Sequence, residues 1–244
     1  MKISYIMQSY LGQYPGSRSD SSIKFIRAVQ SFLDQTHKDS ELIIASDGCE
    51  KTHQLYYELY KSEPRIKYVY VDKDTPNMYE GEVKYYRGLP RQVARSLVTG
   101  EITTYMDSDD YLLPNAAGTV AEVWSRSDET RGWALIDRWY DNEAMLTQDK
   151  TSSIIVEPQL YEIKGLDGKW VLNRMSHPTL VMQATWAISH RSHAVSKWKD
   201  ITGKTYSEDT AFSRSLIEEF GVNNGFLIQT PYYVRCHYTG LWDY

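Results

Sequence analysis

The fold is decided by one stretch of the sequence, which runs Gly100-Glu101-Ile102-Thr103-Thr104-Tyr105-Met106-Asp107-Ser108-Asp109-Asp110. The residues from Ile102 to Tyr105 favour a pleated strand. The acids come directly after this strand and before the turn and helix start that Pro114 indicates. Because side chains alternate along an extended chain, Asp107 and Asp109 are predicted to lie on the same side. The stretch therefore predicts two neighbouring carboxylates at the end of a strand.

Two carboxylates that lie this close repel each other unless a cation separates them. Hard divalent cations take oxygen ligands and keep positions open for phosphate oxygens. We therefore interpret Asp107 and Asp109 as an Asp-x-Asp metal site for a nucleotide diphosphate. The alternative is a solvated acidic turn that caps the helix after Pro114.

The composition limits the class of protein. The chain has 244 residues, and its 41% hydrophobic content is enough for one large domain or two small ones with a sizeable core. A formal net charge of −5 gives no global basic field, so nucleic acid binding is not indicated by net charge, although a local basic strip stays open. Cys49 and Cys236 are too far apart to predict a metal-binding pair, and they favour a reducing compartment.

The start of the chain predicts no targeting segment. Residues Met1 to Met7 are too short and too polar for a signal peptide. No apolar run approaches the roughly 20 residues that a membrane helix needs. We therefore expect a soluble, cytoplasmic protein without a membrane span.

Alternating strand and helix patterns predict an α/β fold. Strands are predicted over residues 3–7, 41–46 and 66–71, and helices over residues 22–35 and 50–62. The first helix is predicted from the helical spacing of Ile23, Ile26, Val29, Gln30 and Leu33. An order of β-α-β-α-β indicates a parallel sheet with right-handed crossovers.

Ligands of such sheets bind outside the carboxyl ends of the strands. The residues that follow the first three predicted strands are Ser9 and Tyr10, Ser46 and Asp47, and Asp72. These side chains are therefore predicted to lie at the ligand edge of the sheet, together with the acidic stretch.

The remaining elements are predicted from shorter patterns. The polar segment 72–88 is too long for an ordinary connection, which predicts a functional or mobile segment. Helices are expected over residues 90–98, 115–126 and 207–220, and strands over residues 132–139, 152–156, 185–189, 225–229 and 232–236.

Four motifs, taken in order, resemble those of the family 2 glycosyltransferases of GT-A fold. They are Gln35-Thr36-His37 with Glu41-Leu42-Ile43-Ile44, then Arg91 followed by Gly100-Glu101, then Met106-Asp107-Ser108-Asp109-Asp110, and finally Ser207-Glu208-Asp209. They resemble the family's "NQT" helix and second strand, its "ARN…GE" helix, its "LDSDD" and its late "ED" motif. The resemblance implies a Rossmann-like, mostly parallel central sheet flanked by helices, with a small acceptor-side subregion in the C-terminal half.

The same resemblance implies one GT-A domain over residues 1–244. Residues 1–115 would be the nucleotide-sugar-binding half, and residues 116–244 the acceptor-binding half. It also implies a divalent metal, Mn²⁺ or Mg²⁺, that bridges the diphosphate of a nucleoside-diphosphate sugar, with a UDP-sugar as the expected donor. The acceptor stays open among a glycan, a lipid-linked sugar, a protein and a modified nucleic acid.

Individual roles follow from the resemblance, position by position. The implied metal ligands are Asp107, Asp109 and His237, and the implied donor-binding residues are Ser9, Tyr10, Asp47, Arg91, Asp107 and Ser108. Imidazole can join carboxylates on Mn²⁺. A surface or core-edge histidine is the alternative for His237.

Asp209 is the candidate general base. An acceptor hydroxyl is a poor nucleophile, and a carboxylate within hydrogen-bond reach can take its proton. The alternative is that Glu208 and Asp209 only favour a helix N-terminus through its dipole, with Ser207 as N-cap.

The resemblance therefore implies an inverting glycosyltransferase. One competing hypothesis is a non-catalytic nucleotide- or sugar-binding module of the same fold, and another is a sugar-phosphate nucleotidyltransferase. The latter needs a Gly- and Lys-rich first loop, which residues 12–18 resemble only loosely. Asp109 together with Asp209 favours the transferase, because a binding module does not need the second acid.

Overall fold

The computed structural model describes residues 1–12, 19–72, 77–79, 82–84, 88–143, 154–156, 188–198, 208–221 and 224–238. The strands are β1 Ile3–Ser9, β2 Ser40–Asp47, β3 Ile66–Val71, β4 Asn77–Tyr79, β5 Glu82–Lys84, β6 Ile102–Asp107, β7 Tyr111–Leu112, β8 Trp133–Glu143, β9 Ile154–Val156, β10 Ile188–Arg191 and β11 Gly225–Tyr238. The helices are α1 Ser21–Leu33, α2 Glu50–Leu59, α3 Leu89–Ala94, α4 Ala116–Ser125 and α5 Glu208–Phe220, and a 3₁₀ turn at Arg95–Leu97 follows α3.

Nine of the described strands form one mixed sheet in the order β3-β2-β1-β6-β10-β8-β11-β7, with β9 paired to β8. The first four strands in this order are mutually parallel. Strand β10 runs antiparallel to both β6 and β8, whereas β11 runs parallel to β8 and antiparallel to β7. The predicted α/β architecture with a mostly parallel sheet is therefore confirmed.

The two faces of the sheet carry separate cores because side chains alternate along the strands. Tyr5 and Met7 of β1 pack with the cluster that contains α1 and α4. Ile6 of the same strand packs with the cluster that contains Phe212 of α5 and Ala94 of α3. The described helices thus cover both faces of the sheet.

Helix α1 is confirmed, but of the residues whose spacing predicted it only Val29 is fully buried. Phe25, Ala28, Val29 and Phe32 are fully buried, whereas Ile23 and Ile26 are exposed. Both sets have helical spacing, and the two phenylalanine rings bury more apolar surface than the isoleucines would. The helix therefore turns its phenylalanine side to the sheet.

Several predicted boundaries are corrected by the structure. The expected strands 225–229 and 232–236 are one strand, β11, whose pairing with β8 shifts register between Ile228 and Tyr233. Pro231 lies in this irregularity, where a missing N–H donor is tolerated. The expected helix 90–98 ends as an α-helix at Ala94. The polar segment 72–88 contains the hairpin β4–β5, and the predicted strand 185–189 corresponds to β10 from Ile188 onward.

None of the helices in the described part of the chain combines the length and the hydrophobicity that a bilayer crossing requires.

Glu41 is a buried carboxylate at the amino end of the parallel strands. Its side chain accepts hydrogen bonds from Ser4 Oγ at 2.7 Å and from both the N–H and the Oγ1 of Thr99 at 2.7 Å. The Nζ atoms of Lys2 and Lys67 each lie 2.9 Å from its Oε2. Burial raises the pKa of Glu41, but the hydrogen bonds outweigh this effect and lower the pKa to about 2.

Glu41→Gln is expected to lower the free energy of unfolding at neutral pH by about 3 kcal/mol, the order that such a pKa difference represents. Because the folded-state pKa is depressed, this stabilisation is complete above the ordinary glutamate pKa and is lost as the pH falls toward 2. Urea unfolding should therefore show the gap between variant and wild type closing over roughly pH 5 to 2.

Glu101→Gln is the matched control, since the side chain of Glu101 is 62% exposed. Equal unfolding free energies for the Glu41→Gln and Glu101→Gln proteins at neutral pH would contradict the assigned contribution.

Candidate active site

The carboxyl ends of the four parallel strands meet at one edge of the sheet. Asp107, the last residue of β6, lies opposite Gln8 of β1. Ser9 of β1 lies opposite Ser46 of β2, and Asp47 is the last residue of β2. The residues that were predicted to follow the strands are therefore gathered at the edge where ligands of parallel sheets bind.

Residues 107–110 form a turn, which we call the acidic turn. Strand β6 ends at Asp107, and the N–H of Asp110 donates to the carbonyl of Asp107 at 3.3 Å. The carboxylates of Asp107 and Asp109 are brought together by this turn, and not by alternation along a strand. Strand β7 begins at Tyr111, so the turn joins two strands and does not lead directly into a helix.

The acidic turn contains a third acid, Asp110, that the sequence did not single out as a ligand. Carboxylate oxygens of Asp107, Asp109 and Asp110 all lie within 4.8 Å of one another. Asp110 is buried, and Asp107 and Asp109 are half-buried. Three oxygen donors at this spacing fit a hard divalent cation. Adjacent acids in the sequence are the signal that could have indicated the third one.

The acids of the acidic turn do not cap the helix that follows them. Helix α4 begins at Ala116, with Asn115 as its N-cap. Ser108 occupies the second position of the acidic turn, where it is half-buried. The solvated helix cap that was the alternative for Asp107 and Asp109 therefore does not describe the acidic turn.

Arg91 holds the first acid of the turn. Its Nη2 atom lies 3.3 Å from Oδ1 of Asp107. Arg91 lies on α3, on the face of the sheet opposite α1, so its guanidinium reaches the acidic turn from a second element. The side chain of Arg91 is only 12% exposed, compared with 33% for Asp107. A half-buried ion pair is thus part of the strand edge.

Trp198 lies beneath Arg91, and nothing in the sequence indicated its place. Its ring stacks on Phe212 with centroids 4.3 Å apart, and Cζ of Arg91 lies 5.2 Å from the centre of the Trp198 ring. Its Nε1 donates to Tyr105 Oη at 3.3 Å, and its main-chain N–H donates to Gln92 Oε1 at 3.0 Å. A cation above an aromatic face is attracted to it, so Trp198 orients the guanidinium.

The loop that carries Trp198 is held from two sides. Glu219 of α5 accepts the main-chain N–H groups of Val195 and Ser196 at 2.9 and 2.8 Å. Arg95 donates to the carbonyl oxygens of Ala194 and Ser196. These contacts fix the loop against α5 and against the 3₁₀ turn, and with it the position of Trp198.

Asp209 lies in the first turn of α5 and is half-buried. Its carbonyl accepts a hydrogen bond from Ser213 Oγ at 2.8 Å. Phe212, one helical turn further on, stacks on Trp198. Contacts through Phe212, Trp198 and Arg91 therefore connect the helix that carries Asp209 with the acidic turn.

Tyr105 and His190, which lie below Arg91 in the core, are both uncharged near neutral pH. Burial raises the pKa of Tyr105 to about 12 and lowers the pKa of His190 to about 3. Tyr105 Oη lies 3.0 Å from Nε2 of His190, and Nδ1 of His190 lies 2.8 Å from the carbonyl oxygen of Arg191. His190 is thus a hydrogen-bonded core residue.

The residues predicted to bind the nucleoside differ in burial: Asp47 and Tyr10 are half-buried, and Ser9 is buried. Asp47 accepts a hydrogen bond from Gln8 Nε2 at 3.0 Å and is half-buried, so it can still face a ligand. Ser9 is buried, and its hydroxyl lies 3.0 Å from that of Thr52. Tyr10 is half-buried and packs on the core cluster of α1. Ser9 therefore presents almost no surface to a ligand.

The structure describes only the backbone of His237, which is the second-to-last residue of β11. Strand β11 pairs antiparallel with β7 through Tyr233 and Val234, and it then continues toward the acidic turn that precedes β7. The side chain of His237 lies outside the described part of the structure, as does Ser207. A metal-ligand role for His237 stays a prediction.

The chain is similar to a curated protein over part of its length. No protein-family model matches the chain. A protein of Nostoc sp. strain PCC 7120, named as an uncharacterized glycosyltransferase, is 28% identical over 152 residues, which are 62% of this chain and 41% of that protein. The chain therefore spans well under half of that relative.

Solved structures of S. aureus TarS share the fold. TarS 1–349 superposes with a TM-score of 0.63 at 18% identity, and the match covers 97% of this chain and 60% of that one. Its complex with UDP-GlcNAc superposes with a TM-score of 0.61 at 18% identity, over 98% of this chain and 60% of that one. The chain thus shares the fold of TarS, in line with the GT-A architecture that the resemblance implied.

Proposed function

We propose that the protein is a metal-dependent, inverting glycosyltransferase that moves a sugar from a nucleoside-diphosphate sugar to an acceptor hydroxyl. The observation that carries this proposal is the acidic turn, whose three carboxylates lie within 4.8 Å of one another at the carboxyl edge of the parallel strands. The Nostoc relative is named a glycosyltransferase, and TarS has been solved with UDP and with UDP-GlcNAc. A UDP-sugar is accordingly the first donor to test.

Asp107, Asp109 and Asp110 would hold the divalent cation, Mn²⁺ or Mg²⁺, with His237 as a further candidate ligand. When bound, such a cation offsets the charge that develops on the leaving diphosphate. Arg91, paired with Asp107 at 3.3 Å, would add a positive charge beside the same phosphates. Asp107 would therefore lie between two cationic groups in the loaded enzyme.

Asp47, Ser9 and Tyr10 would form the nucleoside side of the site. Asp47 contributes a carboxylate that Gln8 already orients, whereas Ser9 is buried behind it with its hydroxyl 3.0 Å from that of Thr52. Ser108, in the acidic turn, has a hydroxyl within the same edge. These residues are proposed to bind and orient the donor and to take no proton in the reaction.

Asp209 is proposed as the general base. It would take the proton of the acceptor hydroxyl as that oxygen bonds to the anomeric carbon and the bond to the diphosphate breaks. Attack from the face opposite the leaving group inverts the anomeric configuration, and no covalent enzyme intermediate is needed. Contacts through Phe212 and Trp198 link its helix to the acidic turn.

A screen of nucleotide sugars tests the function directly. Purified protein is incubated with UDP-, GDP- and dTDP-sugars, first with Mn²⁺ and then with excess chelator, and release of nucleoside diphosphate is measured. We expect one donor to be hydrolysed slowly in the presence of Mn²⁺ and none with chelator. Metal-dependent donor binding without hydrolysis or transfer would instead favour the non-catalytic binding module. Release of pyrophosphate from a sugar phosphate and a nucleoside triphosphate would favour the nucleotidyltransferase.

A further inference from the structure

Helix α1 presents a polar stripe to the segment that contains the acidic turn. Arg27 and Ser31 lie one helical turn apart on α1, and Gln35 follows one turn later, just beyond the end of the helix. Residues spaced by four share one face of a helix. This face lies beside the core face formed by Phe25 and Phe32, so the stripe is a separate feature from the packing of the helix.

Arg27 and Ser31 bind the main chain on both sides of Tyr111. Nη2 of Arg27 donates to the carbonyl oxygen of Asp109 at 2.7 Å. The hydroxyl of Ser31 accepts the N–H of Leu112 at 3.0 Å. Both contacts are to backbone atoms, so they fix the path of the chain through and after the acidic turn.

Gln35 extends the stripe toward α4. Its Nε2 donates to the carbonyl oxygen of Leu113 at 2.8 Å, and its Oε1 accepts the N–H of Ala117 at 2.9 Å. One side-chain amide thus ties the segment after β7 to the first turn of α4. Along the stripe, Arg27 binds the backbone at residue 109, Ser31 binds it at 112, and Gln35 binds it at 113 and 117.

The guanidinium of Arg27 is held in place on its other side as well. Its Cζ lies 4.7 Å from the centre of the Tyr111 ring, within the range of a cation–π contact. Tyr111 is the first residue after the acidic turn. Arg27 therefore grips the turn through a main-chain carbonyl and through the neighbouring aromatic ring.

The acidic turn needs an external anchor for a physical reason. Three carboxylates within 4.8 Å of one another repel, and the internal hydrogen bond of the turn, from Asp110 to Asp107, is 3.3 Å long. Arg91 offsets part of this repulsion through its ion pair with Asp107, and a contact to the main chain of the turn adds a second restraint. The 2.7 Å bond from Arg27 restrains the peptide group between the second and third acids.

We propose that Arg27 is a positioning residue for the divalent-cation site, an inference that rests on the proposed function. It holds Asp109 and Asp110 in the conformation that offers their carboxylates to one cation, with Ser31 and Gln35 fixing the chain beyond the turn. Its own positive charge opposes cation binding, so positioning and charge predict opposite changes when the residue is replaced.

The test is a calorimetric titration of the full chain with Mn²⁺ alone. It is carried out on wild type, Arg27→Met and Arg27→Lys. Arg27→Met is expected to bind Mn²⁺ about 10–100-fold more weakly, the loss typical of residues that orient metal ligands. Arg27→Lys, which keeps the charge and one donor, should recover part of this loss. Gln30→Ala is the matched control, because Gln30 is an exposed α1 residue that hydrogen-bonds Asp34, and it should bind like wild type.

A second measurement does not use the metal. Amide hydrogen exchange at Asp110 and Leu112 should quicken in Arg27→Met without Mn²⁺, while exchange across β1 stays as in wild type. A general loss of protection across the sheet would overturn the positioning role, since it would mean that Arg27 supports the whole fold.

The outcomes separate this inference from the proposed function. If wild type binds Mn²⁺ and Arg27→Met binds it equally well or more tightly, the positioning role is wrong and the metal site stands. If wild type itself binds no Mn²⁺, the proposed metal dependence is wrong and the role of Arg27 toward a cation is wrong with it.

Discussion

Asp209→Asn is expected to slow sugar transfer by roughly 10²–10⁴-fold while donor affinity stays close to that of wild type. Asparagine keeps the size of the side chain and much of its hydrogen bonding, but it cannot take a proton from the acceptor. Asp209 lies in the first turn of α5, one turn before the Phe212 ring that stacks on Trp198. The measurement is transfer rate and donor affinity at saturating metal.

Glu208→Gln is the control, because it removes one negative charge from the same first turn of α5. If the acids of this turn act only on the helix dipole, both variants should lose stability on the order of 1 kcal/mol or less and keep their transfer rate. Full transfer by Asp209→Asn would exclude it as the general base. Another carboxylate would then have to be sought in residues 137–167.

Asp109→Asn is expected to lose Mn²⁺ and donor together, with UDP affinity falling at least about 100-fold in the presence of Mn²⁺. The substitution removes one of the three carboxylates of the acidic turn and leaves the main-chain carbonyl that Arg27 binds. The turn should therefore keep its shape and lose one of its three negative charges. Calorimetry of UDP with Mn²⁺ and with chelator measures both quantities.

The comparison across variants makes this result specific. Asp39→Asn serves as control, since Asp39 is 58% exposed and precedes β2 at the opposite end of the sheet. Wild type and Asp39→Asn should bind UDP more tightly with Mn²⁺ than with chelator, whereas Asp109→Asn should bind it equally weakly in both. Equal affinity of wild type in the two conditions would remove the metal from the proposed site.

The strands and helices of the parallel half were predictable because their signals are local. Alternation and helical spacing are properties of neighbouring residues, and the order of elements then restricts how the sheet connects. The buried side of α1 was not predictable for the same reason. Two sets of apolar residues have the helical period, and only packing against the sheet selects Phe25 and Phe32 over Ile23 and Ile26.

The candidate site was predictable in its residue types and not in its geometry. Strand alternation predicted that Asp107 and Asp109 lie close together, and they do, but a turn and not a strand brings them together. No sequence motif indicates the role of Trp198. Its position beneath Arg91 depends on a loop that is held by residues far away in the chain. Arg27 likewise contacts Asp109 from 82 positions away, a relation that no local pattern records.

The interior position of β11 has a consequence for how the protein acquires its fold. Strand β11 lies between β8 and β7, so the sheet cannot be completed until β11 has paired with both of them. Pairings between distant segments cost loop-closure entropy before they are repaid, which makes such topologies slow to fold. Until then β7 and β8 expose unpaired backbone edges, which are templates for intermolecular association. The yield of native protein is therefore expected to depend on concentration and temperature during refolding more than on the stability of the finished sheet.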